Sequence, residues 1–401
     1  MSQTMGESTA DKKEKKASEY TRVVYDPIDT RHYGAIHTPI YQNSLFAFEN
    51  YDQFDKAFQD LSAIPVYSRG NNPTVRYLEQ KIADLEEAED AKCFSSGMAA
   101  ITAAIMSTVS QGDHIICINQ VYGPTKEFLG SYMLKFGVET TFVDGSKLEA
   151  WEDAVRPNTK LFYLESPSTQ MFQLQDIRAC AELAKSIGAV TVIDNTCATP
   201  LFQKPLQLGA DLSVHSISKY IGGHSDCIGG VVIGSSNRIK SLFNKEYMLF
   251  GGIMTPQTAA LVSKGIRTLP LRLRRHEASA LRVAAFLQEQ PFVSKVNHPG
   301  LDSHPQHKLA LTQMSGSTSL FSFESVMPLA RIKEWANGLK YFKIAVSWGG
   351  FESLVTVNEV AWDNNSGSRV VVRLYVGLEE PDDLIADIAA AWKHAEALEA
   401  L

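Results

Sequence analysis

The chain has 401 residues, a formal net charge of −7, 44% hydrophobic and 21% charged residues, a globular balance that excludes a wholly disordered, collagenous or coiled-coil chain. The mild acidity argues against a general nucleic-acid binder, and the length calls for two or three domains rather than one simple core. No run of about 18 apolar residues is present to span a membrane, and the polar N-terminus lacks the apolar core of a secretory signal.

Cys93, Cys117, Cys180, Cys197 and Cys227 form an odd, scattered set without a C-x-x-C pair. They read as reduced thiols of a cytoplasmic protein, mostly core fillers. The ten histidines show no H-E-x-x-H or comparable spacing, so no metal site is expected.

Residues 1–18 read as a disordered tail rich in Lys, Glu, Ser and Thr. Residues 19–60 hold aromatics and prolines without a period and suit an arm packed on another subunit. From Thr74, placed as a helix cap, Val75, Leu78, Ile82 and Leu85 recur at helical spacing. Cys93 to Met98 followed by Ala99 to Val109 predicts a short strand, a tight turn and an apolar helix. Strands are predicted at His114–Ile118, Lys160–Leu164, Ala189–Ile193, Leu212–Val214 and Val231–Ile233, with helical stretches such as Ile177–Ile187 between them. Buried strands alternating with helices indicate an α/β domain with a mostly parallel sheet over residues 61–255. From residue 256 a long Arg- and Leu-rich helix over 257–289, strands at Leu320–Phe323 and Val370–Val376, and a helix at Asp382–Leu398 predict a smaller α+β domain reaching residue 401.

In parallel α/β sheets ligands sit at the carboxyl ends of the strands, and four stretches there carry chemistry. Ser216-Ile217-Ser218-Lys219 places a lysine directly after a strand and close behind two small hydroxyls, the setting of a partly desolvated Schiff-base lysine with Ser216 and Ser218 as phosphate ligands. An ordinary loop lysine is the plain alternative reading of this segment. Asp194 ends a buried strand and suits a carboxylate beside a pyridine nitrogen, though a helix-capping Asp is the commoner role. Ser96-Gly97-Met98 opens an apolar helix whose N-terminal N–H groups can cradle a phosphate, or simply form a capped turn. Tyr122, on the loop after the His114 strand, can stack on a planar cofactor or be a half-buried turn tyrosine.

Taken together in chain order, Ser96-Gly97, Tyr122, Asp194 and Ser216/Ser218/Lys219 at successive strand ends resemble the pyridoxal-phosphate enzymes of cysteine and methionine metabolism: cystathionine γ-synthase, the cystathionine β- and γ-lyases, methionine γ-lyase and the homoserine sulfhydrylases. The resemblance covers residues 20–400. It also includes Tyr67-Ser68-Arg69 with Asn72-Pro73-Thr74, Asp194-Asn195-Thr196, and Gly223-His224-Ser225-Asp226 after Lys219. It implies fold type I, the aspartate-aminotransferase-like fold, with pyridoxal 5'-phosphate held by Lys219, Asp194 at the ring nitrogen and Tyr122 stacked on the ring. It implies Gly97, Met98, Ser216 and Ser218 at the phosphate, and Tyr67 and Arg69 supplied by the neighbouring subunit. Lys219, Tyr67 and Tyr122 are the implied catalytic groups. The implied assembly is a homotetramer, a dimer of dimers with shared sites, acting on a small amino acid. Arg373 is implied as the clamp on the substrate α-carboxylate.

Within the family, Ser347-Trp348-Gly349-Gly350-Phe351-Glu352-Ser353-Leu354 resembles the bacterial β-lyase form, where many γ-enzymes carry leucine in place of Trp348. The Tyr67 to Thr74 stretch resembles the γ-synthase and γ-lyase form. Thr169 stands where many members have asparagine, and Pro124 where methionine γ-lyases have cysteine. The expected reaction is α,β-elimination of a cystathionine-like substrate to pyruvate, ammonia and a thiol. The alternative is γ-elimination or γ-replacement on methionine, an O-substituted homoserine or a canavanine-type substrate. An aminotransferase of the same broad fold would be revealed by pyridoxamine formation with a keto-acid acceptor. A non-catalytic binding protein would need a damaged site, yet Lys219, Asp194, Tyr122, Arg69 and Arg373 are all present.

Overall fold

A computed structural model describes residues 17–361 and 368–399. The expected tail therefore lies, as far as residue 16, outside the described residues. The larger sheet has seven strands: β1 (Asp90–Phe94), β2 (His114–Ile118), β3 (Glu139–Val143), β4 (Thr159–Glu165), β5 (Val190–Asp194), β6 (Leu212–Ser216) and β7 (Gly230–Gly234). Their spatial order is β1-β7-β6-β5-β4-β2-β3. Strands β3, β2, β4, β5 and β6 pair in parallel, and β7 runs antiparallel to both β6 and β1. β2 and β7 are buried along their whole length, which is why they read as unbroken apolar runs. Only β3 among these strands escaped prediction. Its Glu-Thr-Thr-Phe-Val run is polar and half-exposed because it lies at the sheet edge.

The connection from β6 to β7 joins antiparallel neighbours, so the segment 217–229 leaves and returns at one end of the sheet. Lys219 lies in that segment, over the carboxyl ends of β5 and β6. The helix Gly97–Met106 packs its Ala- and Ile-rich surface on β6 and β7.

The second sheet has β8 (Val293–Asn297), β9 (Leu320–Ser325), β10 (Lys343–Ile344), β11 (Leu354–Ala361) and β12 (Ser368–Tyr375), in the order β10-β11-β12-β9-β8. It is antiparallel except for β10 against β11. Phe292, Phe321, Phe323 and Trp335 fill the core between this sheet and the helices Leu269–Gln288, Leu329–Asn337 and Pro381–Glu399. Trp392 stacks on Phe292 with ring centroids 4.0 Å apart.

Two local expectations are corrected. The helix expected over 257–289 is two helices, Pro256–Arg267 and Leu269–Gln288, broken at Thr268. Pro270 has no N–H to continue the ladder and restricts the residue before it. Thr74 is not the cap of the helix Pro73–Glu86. Asn72 is, its Oδ1 accepting the Thr74 N–H at 3.0 Å, with Pro73 at the first helical position. The Thr74 hydroxyl instead pins the arm, donating to Pro39 O and accepting from Tyr41 N.

Burial pushes His276, His298 and His304 each down to about 4. The folded protein then binds fewer protons than the unfolded chain between pH 4 and the ordinary histidine value, so this stability is lost as pH falls through that window. The melting temperature should fall from pH 6.5 to pH 4 in a thermal denaturation series. A flat profile over that interval would count against the assignment.

Candidate active site

The carboxyl ends of β5 and β6 bring Asp194 and Lys219 into one crevice. Asp194 is buried, and its Oδ1 accepts both the N–H and the hydroxyl of Thr196, at 3.0 and 2.5 Å. The Thr196 hydroxyl in turn accepts the Ser216 N–H at 2.8 Å, tying the end of β5 to the end of β6. Burial raises the Asp194 pKa, while the two bonds from Thr196 and the charges of His215 and Lys219 oppose the rise. Burial lowers the Lys219 pKa, opposed by the Asp194 charge and reinforced by that of Arg373. An amine depressed in this way holds its neutral, nucleophilic form more readily.

The Lys219 Nζ stands 5.6 Å from the ring centroid of Trp348. Trp348 packs in turn on buried Tyr220, with centroids 5.4 Å apart. Arg373 projects from β12, its Nη2 reaching the carbonyl of Ser347 at 3.5 Å. Ser347 is exposed, at a φ of +78° that turns the loop between β10 and β11 toward the crevice. Burial lowers the Arg373 pKa and the nearby Tyr122 hydroxyl opposes it. Arg373 thus shares one electrostatic neighbourhood with Lys219 and Tyr122.

Tyr122 opens the short helix Gly123–Glu127 after β2, its ring 45% exposed. Its N–H donates to Glu165 Oε2 at 2.9 Å, and Glu165 Oε1 accepts the Thr169 N–H at 2.6 Å. Thr169 is thereby held on the loop after β4, beside the other strand ends.

Whether pyridoxal phosphate fits can be asked of the cradle between β1 and β6. Ser96 caps the helix Gly97–Met106 through its hydroxyl, which accepts the Ala99 N–H at 3.1 Å. The N–H groups of Gly97 and Met98 have no partner among the described residues, nor has the Ser216 hydroxyl. A Cβ on Gly97 would stand 2.9 Å from both Cβ and Oγ of Ser216, so only glycine leaves this space open. Free donors at a helix N-terminus around a space kept clear suit a phosphate. Ser218 is partly committed, since its hydroxyl exchanges hydrogen bonds with the backbone of Gly229. Phosphate cradle, buried carboxylate and desolvated lysine together fit the cofactor.

Tyr67 and Arg69 stand apart. Both are exposed, Tyr67 at 51%, with the Arg69 guanidinium 5.7 Å from the Tyr67 ring centroid. Neither makes a hydrogen bond or ring contact with the crevice residues among the described residues. Sequence reasoning passed over Glu165 and Thr196 as functional groups. Thr196 lies inside the Asp194-Asn195-Thr196 stretch and Glu165 directly follows the strand expected at Lys160–Leu164, and their positions two residues after Asp194 and one strand from it were the available signal. No group of three or more His, Cys, Asp or Glu that could hold a metal occurs among the described residues, and no helix there is long and apolar enough to cross a membrane.

Comparison with known proteins places this geometry. Residues 20–393 match the family described as Cys/Met metabolism PLP-dependent enzyme. The chain is 39% identical over 381 residues to an L-methionine gamma-lyase of Pseudomonas putida, covering 92% of this chain and 95% of the relative. It is 39% identical to a cystathionine beta-lyase of Lactococcus lactis subsp. cremoris, covering 92% and 98%. To a cystathionine gamma-lyase of Bacillus subtilis it is 39% identical over 368 residues, covering 89% and 94%. The crystal structure of metB from Corynebacterium glutamicum superposes with a TM-score of 0.86 at 35% identity, covering 94% of this chain and 98% of that one. Crevice, fold and sequence agree: the chain belongs to the Cys/Met metabolism family of PLP-dependent enzymes.

Proposed function

We propose that this enzyme is a carbon–sulfur lyase that, with water, converts a cystathionine-like amino acid to pyruvate, ammonia and a thiol by α,β-elimination. The observation that carries the choice of β-elimination is Trp348, whose indole faces the Lys219 amine and packs on Tyr220 beside the Arg373–Ser347 contact. A rigid indole there narrows the space available to the substrate side chain. Arg373 receives the α-carboxylate bidentately. Lys219, poised by burial, takes the α-proton. Bound pyridoxal phosphate supplies an electron sink for the charge left at the α-carbon. Asp194 presents a carboxylate to its ring nitrogen, Tyr122 a ring face, and Gly97, Met98, Ser216 and Ser218 hold its phosphate. Thr169 lines the same side as Tyr122 and bears on substrate choice.

We further propose that Tyr67 and Arg69 complete the site of a neighbouring subunit, in a cytoplasmic homotetramer built as a dimer of dimers. In this reading residues 19–60 form the arm, 61–255 the cofactor domain and 256–401 the C-terminal domain. The arm suits such an interface, since Tyr25, Ile28, Tyr33 and Ile36 are all more than half exposed.

A second reading, γ-elimination or γ-replacement, is favoured by the equal likeness to the relatives named methionine and cystathionine gamma-lyase. A product panel separates the two. The purified holoenzyme is incubated with cystathionine, methionine and O-substituted homoserines, and every keto acid and released group is identified by mass spectrometry. Pyruvate with homocysteine from cystathionine is the expected result. Predominant 2-oxobutanoate, or homoserine-derived adducts, would overturn β-elimination in favour of the second reading.

A further inference from the structure

Glu165 ends β4 as the register partner of Asp194 on β5. Its side chain is 7% exposed, yet it faces another carboxylate. Burial and the Asp194 charge push its pKa well above the ordinary glutamate value. Such a placement is unfavourable unless the carboxyl is well hydrogen-bonded. Both of its oxygens are occupied, Oε2 by the Tyr122 N–H at 2.9 Å and Oε1 by the Thr169 N–H at 2.6 Å. The two donors come from different loops, one after β2 and one after β4, and 43 residues of chain separate Tyr122 from Glu165. The Tyr122 N–H stands at the start of a helix, where no acceptor within the helix can serve it. Glu165 is itself held, its own N–H donating to Gln175 Oε1 at 3.2 Å.

We propose that Glu165 is a positioning residue: its single buried carboxyl fixes the Tyr122 loop against the Thr169 loop, and so sets where the Tyr122 ring stands, without touching cofactor or substrate. This rests on the reading of Tyr122 and Thr169 given above.

Glu165→Gln tests it. The substitution keeps the size and one acceptor oxygen but turns an amide NH2 toward one of the two backbone N–H groups. The holoenzyme should retain cofactor by absorbance while the visible circular dichroism of the bound cofactor falls by about half or more. Its kcat should fall on the order of tenfold, as expected for one buried N–H left unpaired. The melting temperature should not fall, because the variant also removes a carboxyl from beside Asp194. Glu165→Asp, whose shorter side chain still carries two acceptors, should recover part of the ellipticity. Wild-type ellipticity and kcat in Glu165→Gln would overturn the proposal.

Should that variant fail to fold, amide hydrogen exchange on the wild-type holoenzyme decides. Tyr122 and Thr169 amides exchanging as slowly as those of β4 support the clamp, and exchange at loop rates overturns it. Ellipticity and exchange report on Glu165 whatever the substrate proves to be, whereas the product panel reports on the reaction alone.

Discussion

Lys219→Ala is expected to lower turnover by about three orders of magnitude or more on whichever substrate the product panel identifies. In the proposed mechanism the side chain contributes in two ways, as the amine that would hold the cofactor and as the base that would take the α-proton, and alanine supplies neither. The fold should survive the change. The Lys219 Nζ makes no hydrogen bond to the protein among the described residues and lies 5.6 Å from the Trp348 ring centroid, so its removal orphans no acceptor. Steady-state kcat with an unchanged melting temperature checks this. Added primary amines should restore a small part of the rate by carrying the proton in its place. A variant turning over within tenfold of the wild type would remove Lys219 from the centre of the mechanism.

Mixing that variant with Arg69→Ala gives a second large effect, in the opposite direction. Each variant alone is expected to be nearly inactive, one lacking the amine and the other the guanidinium. If Arg69 serves the neighbouring subunit, a dimer holding one copy of each carries one site with both residues intact. Random reassortment of equal amounts makes half of the dimers mixed, so activity should return to about a quarter of the wild-type value per subunit. If Arg69 instead served its own chain, every site in the mixture would lack one residue and nothing would return. The exposure of Tyr67 and Arg69, without contact to the crevice residues of their own chain, motivates the first outcome. Activity after unfolding or dilution and reassociation of the mixed subunits is the measurement.

What could be read in the sequence followed burial. β2, β4, β5, β6 and β7 sit in the middle of their sheet, so their apolar runs stood out, and His114–Ile118 matches to the residue. β3 at the edge and β8 at the edge of the smaller sheet carry too much polar surface to show a strand signal. β11, with its alternating Leu-Val-Thr-Val-Asn-Glu-Val-Ala, had the period of a half-buried strand and was nonetheless passed over. Lys219, Asp194, Tyr122 and Gly97 were legible because each sits where a strand ends and a turn begins. Glu165 was not, because its work is done through backbone N–H groups of Tyr122 and Thr169, and a sequence does not display which carboxyl a loop amide will find. The break at Thr268 was written in Pro270, but the Arg- and Leu-rich period on either side masked it.

The turn that carries Lys219 is finished by residues made long after it. Buried Arg272, at the start of the helix that follows the Thr268 break, donates to the carbonyl of Tyr220 at 2.8 Å. Gly349, at a φ of +92°, lies so close on the Lys219–Tyr220 peptide that a Cβ there would stand 2.6 Å from its atoms. All seven strands of the larger sheet precede both residues in the chain. Synthesis from the N-terminus therefore makes the residues of all seven strands before those that close on the Lys219–Tyr220 peptide. The backbone turn that presents Lys219 thus takes its last two supports from the final third of the chain, after every strand of the larger sheet.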